Sequence, residues 1–151
     1  MNTCTGGGET KRRRVSERAT FLVDSDAFIG WFIATDVHHA RVKTALSVID
    51  QKGEHLATTS FVVAETATLI SRRYAHALAC RFVTYLQESE FQVIDIGDHL
   101  REQAQTLFIE QTLEKVSLID CANVAVVRYF GWQGIVSFDK FYTRFGINLA
   151  G

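Results

Sequence analysis

Four carboxylates in this chain occupy one kind of address, the place where an apolar run gives way to a helix. Asp24 follows Phe21-Leu22-Val23, Glu65 lies in the early turns of "FVVAETATLI", Asp120 stands three residues after Ser117, and Asp139 follows "IVSF". Their separations of 41, 55 and 19 residues mean that only a fold can bring them together. In an open parallel sheet, ligands bind in the crevice beyond the carboxyl ends of the strands, and all four acids could converge there. Two like charges 4 Å apart repel by about 4 kcal/mol at an effective dielectric of 20, so the group needs a compensating cation. Mg2+ or Mn2+ suits an all-oxygen donor set and leaves waters to exchange with phosphate oxygens. The chemistry implied is metal-assisted attack on a phosphate ester.

Each acid also has a local explanation. Asp24 or Asp26 could cap the following helix, Asp120 could complete a capping box with Ser117, and Asp139 could close a turn. Glu65 is harder to dismiss, because a charge inside an apolar stretch is costly unless it is paired or faces solvent. Asn123, one helical turn after Asp120, could face the same crevice. Arg72, seven residues after Glu65 and about 10.5 Å along a helix axis, is a candidate RNA contact.

The elements that must position these residues are legible as alternating short apolar runs and longer amphipathic stretches. Strands are expected at 20–24, 55–60, 91–95 and 134–139, with a further one at 147–149. Helices are expected through Phe28, Ile29, Trp31 and Phe32, then at 37–51, from a Ser60 N-cap through Ile70, and at 74–88, 98–112 and 116–131, the last ending at Gly131. This is an α/β chain with a mostly parallel sheet of four to five strands.

The 151 residues suit one globular domain. The composition is 47% hydrophobic and 22% charged, and no apolar run reaches the ~20 residues of a membrane span. With no secretory signal in evidence, the cytoplasm is the expected compartment. Cys4, Cys80 and Cys121 are widely spaced, match no zinc pattern and are expected to be reduced packing residues. The net charge of −1 conceals an asymmetry. Residues 1–20 carry five bases against two acids, while the remainder carries eleven against fifteen. A basic extension over 1–19, expected to be disordered, therefore precedes a domain at 20–151 too acidic to hold nucleic acid by charge alone.

In order and spacing, "FLVDSDAFIGWF", "DVHHARV", "TTSFVVAETATLI", "SLIDCANVAVVRYFG" and "IVSFDKFY" resemble the PIN-domain family of metal-dependent ribonucleases, and within it the VapC-type toxins of toxin–antitoxin pairs. The resemblance spans residues 20–150. It implies a three-layer α/β/α fold, an endoribonuclease using Mg2+ or Mn2+, and Asp24, Glu65, Asp120 and Asp139 as catalytic, metal-binding carboxylates. Ser137 matches the small hydroxyl residue common before the fourth acid, where it would hold a metal-bound water or a neighbouring carboxylate. Asp26 takes a supporting position, nearer to capping than to ligation. Phe141 stands where many relatives carry a polar or acidic residue, and Tyr142 replaces a phenylalanine. Both departures weaken the case for Asp139.

The resemblance further implies an RNA substrate, a cognate antitoxin that blocks the acidic cleft, and a homodimer built through helices of the N-terminal half. Phe28, Trp31, Phe32, Phe61, Tyr74 and Phe82 could supply that surface, although core packing is the better account of several of them. Two other functions compete. One is a non-catalytic PIN-like module that binds RNA or protein. The other is a haloacid-dehalogenase-like phosphatase, suggested by Asp24-Ser25-Asp26 but lacking that family's following Thr or Gly and its late acidic pair.

Overall fold

A computed structural model describes residues 20–151. The basic extension and Cys4 lie outside the described residues. Four strands, β1 (Thr20–Val23), β2 (His55–Thr59), β3 (Gln92–Ile94) and β4 (Gly134–Val136), form one sheet in the order β3-β2-β1-β4, with every pairing parallel. The site lies at the carboxyl edge of this sheet. The first strand is central, so Asp24, the residue after it, is carried to the middle of that edge.

Alternation along each strand divides the core in two. Leu22 and Ile135 point to one face, where they meet helices α5 (Asp98–Glu110) and α6 (Leu118–Phe130). Val23 and Val136 point to the other, against α1 (Ser25–Phe32), α2 (His39–Gln51), α3 (Ser60–Arg73) and α4 (His76–Glu88). The result is the expected three-layer α/β/α arrangement. Helix α6 is buried continuously from Cys121 to Val127, which makes the fully buried Asn123 an unusual residue in an otherwise apolar segment.

The helix ends follow side-chain chemistry. Ser117 and Asp120 form a reciprocal capping box at α6, and Gly131 closes that helix with a left-handed φ of 63°. The expected Ser60 cap is displaced by one residue. Thr59, still extended at the end of β2, accepts a hydrogen bond from Val62 N, so Ser60 is the first helical residue. The expected final strand at 147–149 reduces to a single bridge between Ile135 and Leu149, leaving four strands. Between β4 and that bridge, Lys140–Phe145 form a 3₁₀ helix that periodicity does not reveal, because six residues are too few to show a period.

Of the described cysteines, Cys121 is buried as expected, whereas Cys80 is exposed, 3.4 Å from His76 Nε2. Phe28 and Phe82 are core residues in edge-to-face contact. Trp31, Phe32 and Tyr85 instead form an aromatic cluster at the surface of α1 and α4. No helix among the described residues is long and apolar enough to cross a membrane.

Gly134 ties the chain end to the sheet. A Cβ there would run into the carbonyl of Asn148, the same carbonyl that accepts from Ile135 N. Backbone cannot swing aside as a side chain can, so Gly134→Ala is expected to lower stability by about 1–3 kcal/mol. Chemical denaturation would show this as a lower midpoint with an unchanged slope.

Candidate active site

Asp24 is the hub. It follows β1, is 4% exposed, and caps α1 by accepting from Ser25 N at 2.8 Å. Capping is therefore part of its role but not the whole of it. Asn123 Nδ2 donates to Oδ1 at 3.2 Å, while Tyr142 Oη at 2.7 Å and Ser137 Oγ at 3.2 Å both lie against Oδ2. Four donors thus come from α1, α6, the end of β4 and the 3₁₀ helix, elements as much as 118 residues apart from Asp24.

Asp26, expected in a supporting position nearer to capping, acts on the Ala27 backbone of its own helix and also reaches across the sheet edge. Its Oδ2 accepts from Phe138 N at 2.8 Å and from Ser137 Oγ at 3.0 Å, which binds α1 to the segment after β4. Its Oδ1 is buried with no hydrogen-bond partner. An orphaned carboxylate oxygen is costly in a protein interior, and it is the kind of atom that a cation satisfies.

Asp120 faces Asp24 from the first turn of α6. Its Oδ2 accepts from Ser117 N at 2.7 Å, and its Oδ1 lies 3.3 Å from Tyr142 Oη. Glu65 is half-buried on α3, and the charges of Asp120 and Asp26 both act on it. Asp139 is more peripheral. It is exposed, its Oδ1 caps the 3₁₀ helix through Phe141 N at 2.8 Å, and its N–H donates to Ser137 Oγ at 3.1 Å. Its charge nevertheless reaches Asp26.

Tyr142 is the site residue that sequence reading undervalued. Treated as a departure from phenylalanine, it proves to be a fully buried phenol between Asp24 and Asp120, with Asn123 Nδ2 donating to its oxygen at 3.0 Å. It has one proton for two carboxylates, and the shorter distance gives that proton to Asp24. The available signal was a hydroxyl placed where the surrounding pattern demands a buried ring. Arg72, in contrast, is exposed in the groove between α3 and α4 beside Ser71, His76 and Cys80, and Arg73 is the cation whose charge reaches Glu65.

The electrostatics agree with this geometry. Burial first, and then the charge of Asp26, push the Asp24 carboxyl from 3.8 up to about 7. Asp26 is raised mainly by burial and also by the charge of Asp139, against the lowering effect of Phe138 N, Ser137 Oγ and the Ala27 backbone. Glu65 is raised by burial and by its acidic neighbours, while Ser25 and Arg73 act in the opposite direction. Burial and the carboxylates beside it hold the Tyr142 phenol well above its ordinary value, so it stays a donor. Among the described residues, no three such side chains already surround a point as ligands of one ion would. The fit to a hard divalent cation rests on the all-oxygen donor set, the mutual repulsion of the acids and the orphaned Asp26 oxygen.

Comparison with known proteins decides the family. The PIN-domain family model matches residues 21–147. The chain belongs to the PIN-domain family. It is 27% identical over 116 residues to the 23S rRNA-specific endonuclease VapC20 of Mycobacterium tuberculosis, a match that covers 77% of this chain and 88% of that protein. The crystal structure of VapC20, a sarcin-ricin loop cleaving toxin, has the same fold. It aligns with a TM-score of 0.77 at 24% identity, covering 85% of this chain and 96% of that one. VapBC2 from Rickettsia felis, bound to a promoter DNA fragment, aligns with a TM-score of 0.64 at 13% identity, covering 86% and 96%. The PIN match across the four acids removes the phosphatase reading of Asp24-Ser25-Asp26.

Because the folded Asp24 holds its proton to higher pH than the unfolded chain does, metal-free protein is expected to lose stability as pH rises from about 4 to about 7. Asp24→Asn should flatten that slope, as thermal melts in EDTA across the range would reveal. Tyr142→Phe removes the donor between the two acids and should extend the loss to higher pH, since Asp24 without that hydrogen bond holds its proton longer.

Proposed function

We infer that this chain is a divalent-metal-dependent endoribonuclease acting as the toxin of a toxin–antitoxin pair. The observation that carries this reading is the buried Asp24 facing Asp26 and Asp120 at the carboxyl edge of a PIN-family sheet, with an Asp26 oxygen left for a cation. In this reading Asp24, Glu65 and Asp120 hold Mg2+ or Mn2+, and Asp139 supports the site from its rim. When bound, the ion would polarise the phosphoryl oxygen and acidify an attacking water.

The protein groups then divide the remaining work. Asn123, Ser137 and Tyr142 fix Asp24, so that its carboxylate is oriented before substrate arrives. Glu65 lies less deeply buried than Asp24, and its raised pKa suits a carboxylate that accepts a proton from water at its Oε atoms. Attack on phosphorus breaks the bond to the 3′ oxygen and leaves a 5′-phosphate and a 3′-hydroxyl, the products usual in the family. VapC20 is named for 23S rRNA, which makes that RNA the first substrate to try.

A cognate antitoxin would occupy the acidic cleft, and the Rickettsia structure, a VapBC2 complex, makes such a partner the one to seek. The cluster of Trp31, Phe32 and Tyr85 is the surface proposed for a homodimer, and the cytoplasm is the proposed compartment.

Asp24→Asn, Glu65→Gln and Asp120→Asn are each expected to reduce manganese-dependent cleavage of 23S rRNA by at least about 100-fold. EDTA should abolish the activity. Wild-type rates in all three variants would refute the carboxylate mechanism. Folded wild-type protein that binds manganese and RNA but cuts none would identify a non-catalytic binding module instead.

A further inference from the structure

The acids attract a metal but repel RNA, and the domain as a whole carries eleven bases against fifteen acids after residue 20. An RNA strand therefore needs specific contacts beside the cleft, and one group of side chains is placed to supply them. Phe138 lies between Ser137 and Asp139, and its N–H is bonded to Asp26, so its backbone is anchored to the acid cluster. The His38 ring lies parallel to the Phe138 ring, 4.0 Å away with 7° between planes. The Arg41 guanidinium carbon stands over the same ring, 4.7 Å from its centroid. His38 and Phe138 each keep part of their surface in solvent, and Arg41 is exposed.

Arg41 is also uncommitted. Among the described residues the ion pair is that of Arg101 with Asp98, and no carboxylate is in direct contact with the Arg41 guanidinium. A guanidinium held over a ring by cation–π attraction keeps its N–H edge available to an anion. The positive character continues away from the cleft. Arg41 and Lys52, about 16 Å apart along α2, line a groove of about 510 Å³ that also holds Glu54, Gly151 and an apolar floor including Phe21, Val48 and Ile49. Aromatic surface beside a cation that tracks a groove is how proteins hold single-stranded nucleic acid.

We propose that His38, Arg41 and Phe138 form a nucleotide subsite for the RNA strand next to the bond that is cut. Arg41 binds a backbone phosphate, and the His38 ring, backed by Phe138, offers its outer face to the adjoining base. This rests on the nuclease reading for its substrate and extends it by naming where the flanking strand lies. Because the pair is joined to Asp26 through the Phe138 N–H, the subsite and the catalytic acids keep a fixed spacing.

The test is fluorescence anisotropy of a labelled single-stranded oligoribonucleotide at several salt concentrations, in EDTA and in calcium, beside a separate manganese cleavage assay. Arg41→Ala is expected to weaken binding about tenfold and to lower the salt slope by about 0.7, the value of one phosphate contact on a single strand. Arg41→Lys should keep the slope. His38→Ala should weaken binding about fivefold with the slope unchanged, as loss of stacking would. Arg101→Ala, remote from the cleft and already paired, serves as the unchanged control.

Identical affinity and slope in wild type and Arg41→Ala would overturn the subsite, as would an equal loss in Arg101→Ala or no binding by wild type under any condition. Unchanged RNA binding accompanied by lost binding of an acidic peptide would overturn it in favour of a protein contact. Wild type that cleaves RNA while ignoring Arg41 keeps the nuclease and loses the subsite. Wild type that binds RNA through Arg41 and cleaves nothing does the reverse.

Discussion

Mutual repulsion among buried carboxylates is the constraint around which this structure is arranged. Asp24 is nearly inaccessible to water and feels both Asp26 and Asp120, a situation that costs several kcal/mol for an ionised group unless something answers it. The protein's own answer is a set of donors: Ser25 N, Asn123 Nδ2, Ser137 Oγ and Tyr142 Oη. Two of these carry one proton between two acids. Tyr142 lies between Asp24 and Asp120, and Ser137 between Asp24 and Asp26. Neutralisation by the protein is incomplete, and the orphaned Asp26 oxygen records the remainder. A site left partly unsatisfied in this way carries a cost in stability.

The fold makes that cost tolerable by placing the acids at an edge that is otherwise rigid. Strand β1 is central in the sheet, its alternating Leu22 and Val23 are locked into opposite cores, and the next residue is Asp24. Asp120 and Asn123 ride on the most deeply buried helix, while Ser137 follows the buried β4. The groups that must not move are thus held by apolar packing on both faces. Glu65, Asp139 and Arg41 have more solvent around them and are held less tightly.

Much of this could be read from residue order. Apolar runs alternating with amphipathic stretches specify parallel strands joined by helices, because each strand must bury both faces and each connection must return over the sheet. The Ser117–Asp120 box and the Gly131 stop are local hydrogen-bonding and steric effects, which is why they were legible at residue precision. The cap at Thr59 was missed by one residue, since a Thr-Ser pair offers two equivalent hydroxyls and only the end of the strand decides between them. Cys80, expected to pack, faces solvent because it lies one residue off the buried stripe of Ala79, Phe82 and Leu86.

By itself, then, the sequence determined the layer architecture and which carboxylates stand at strand ends, since those depend on periodicity and on neighbours within a few residues. Only the tertiary structure decided what those carboxylates touch. Tyr142 meets Asp24 across 118 residues, Asp26 meets Phe138 across 112, and His38 stacks on Phe138 across the sheet edge. Hydrogen bonds and ring contacts act over a few ångströms whatever the chain separation. A phenol that reads as a conservative replacement for phenylalanine became the donor between two acids only once β4 and α6 had been brought beside β1.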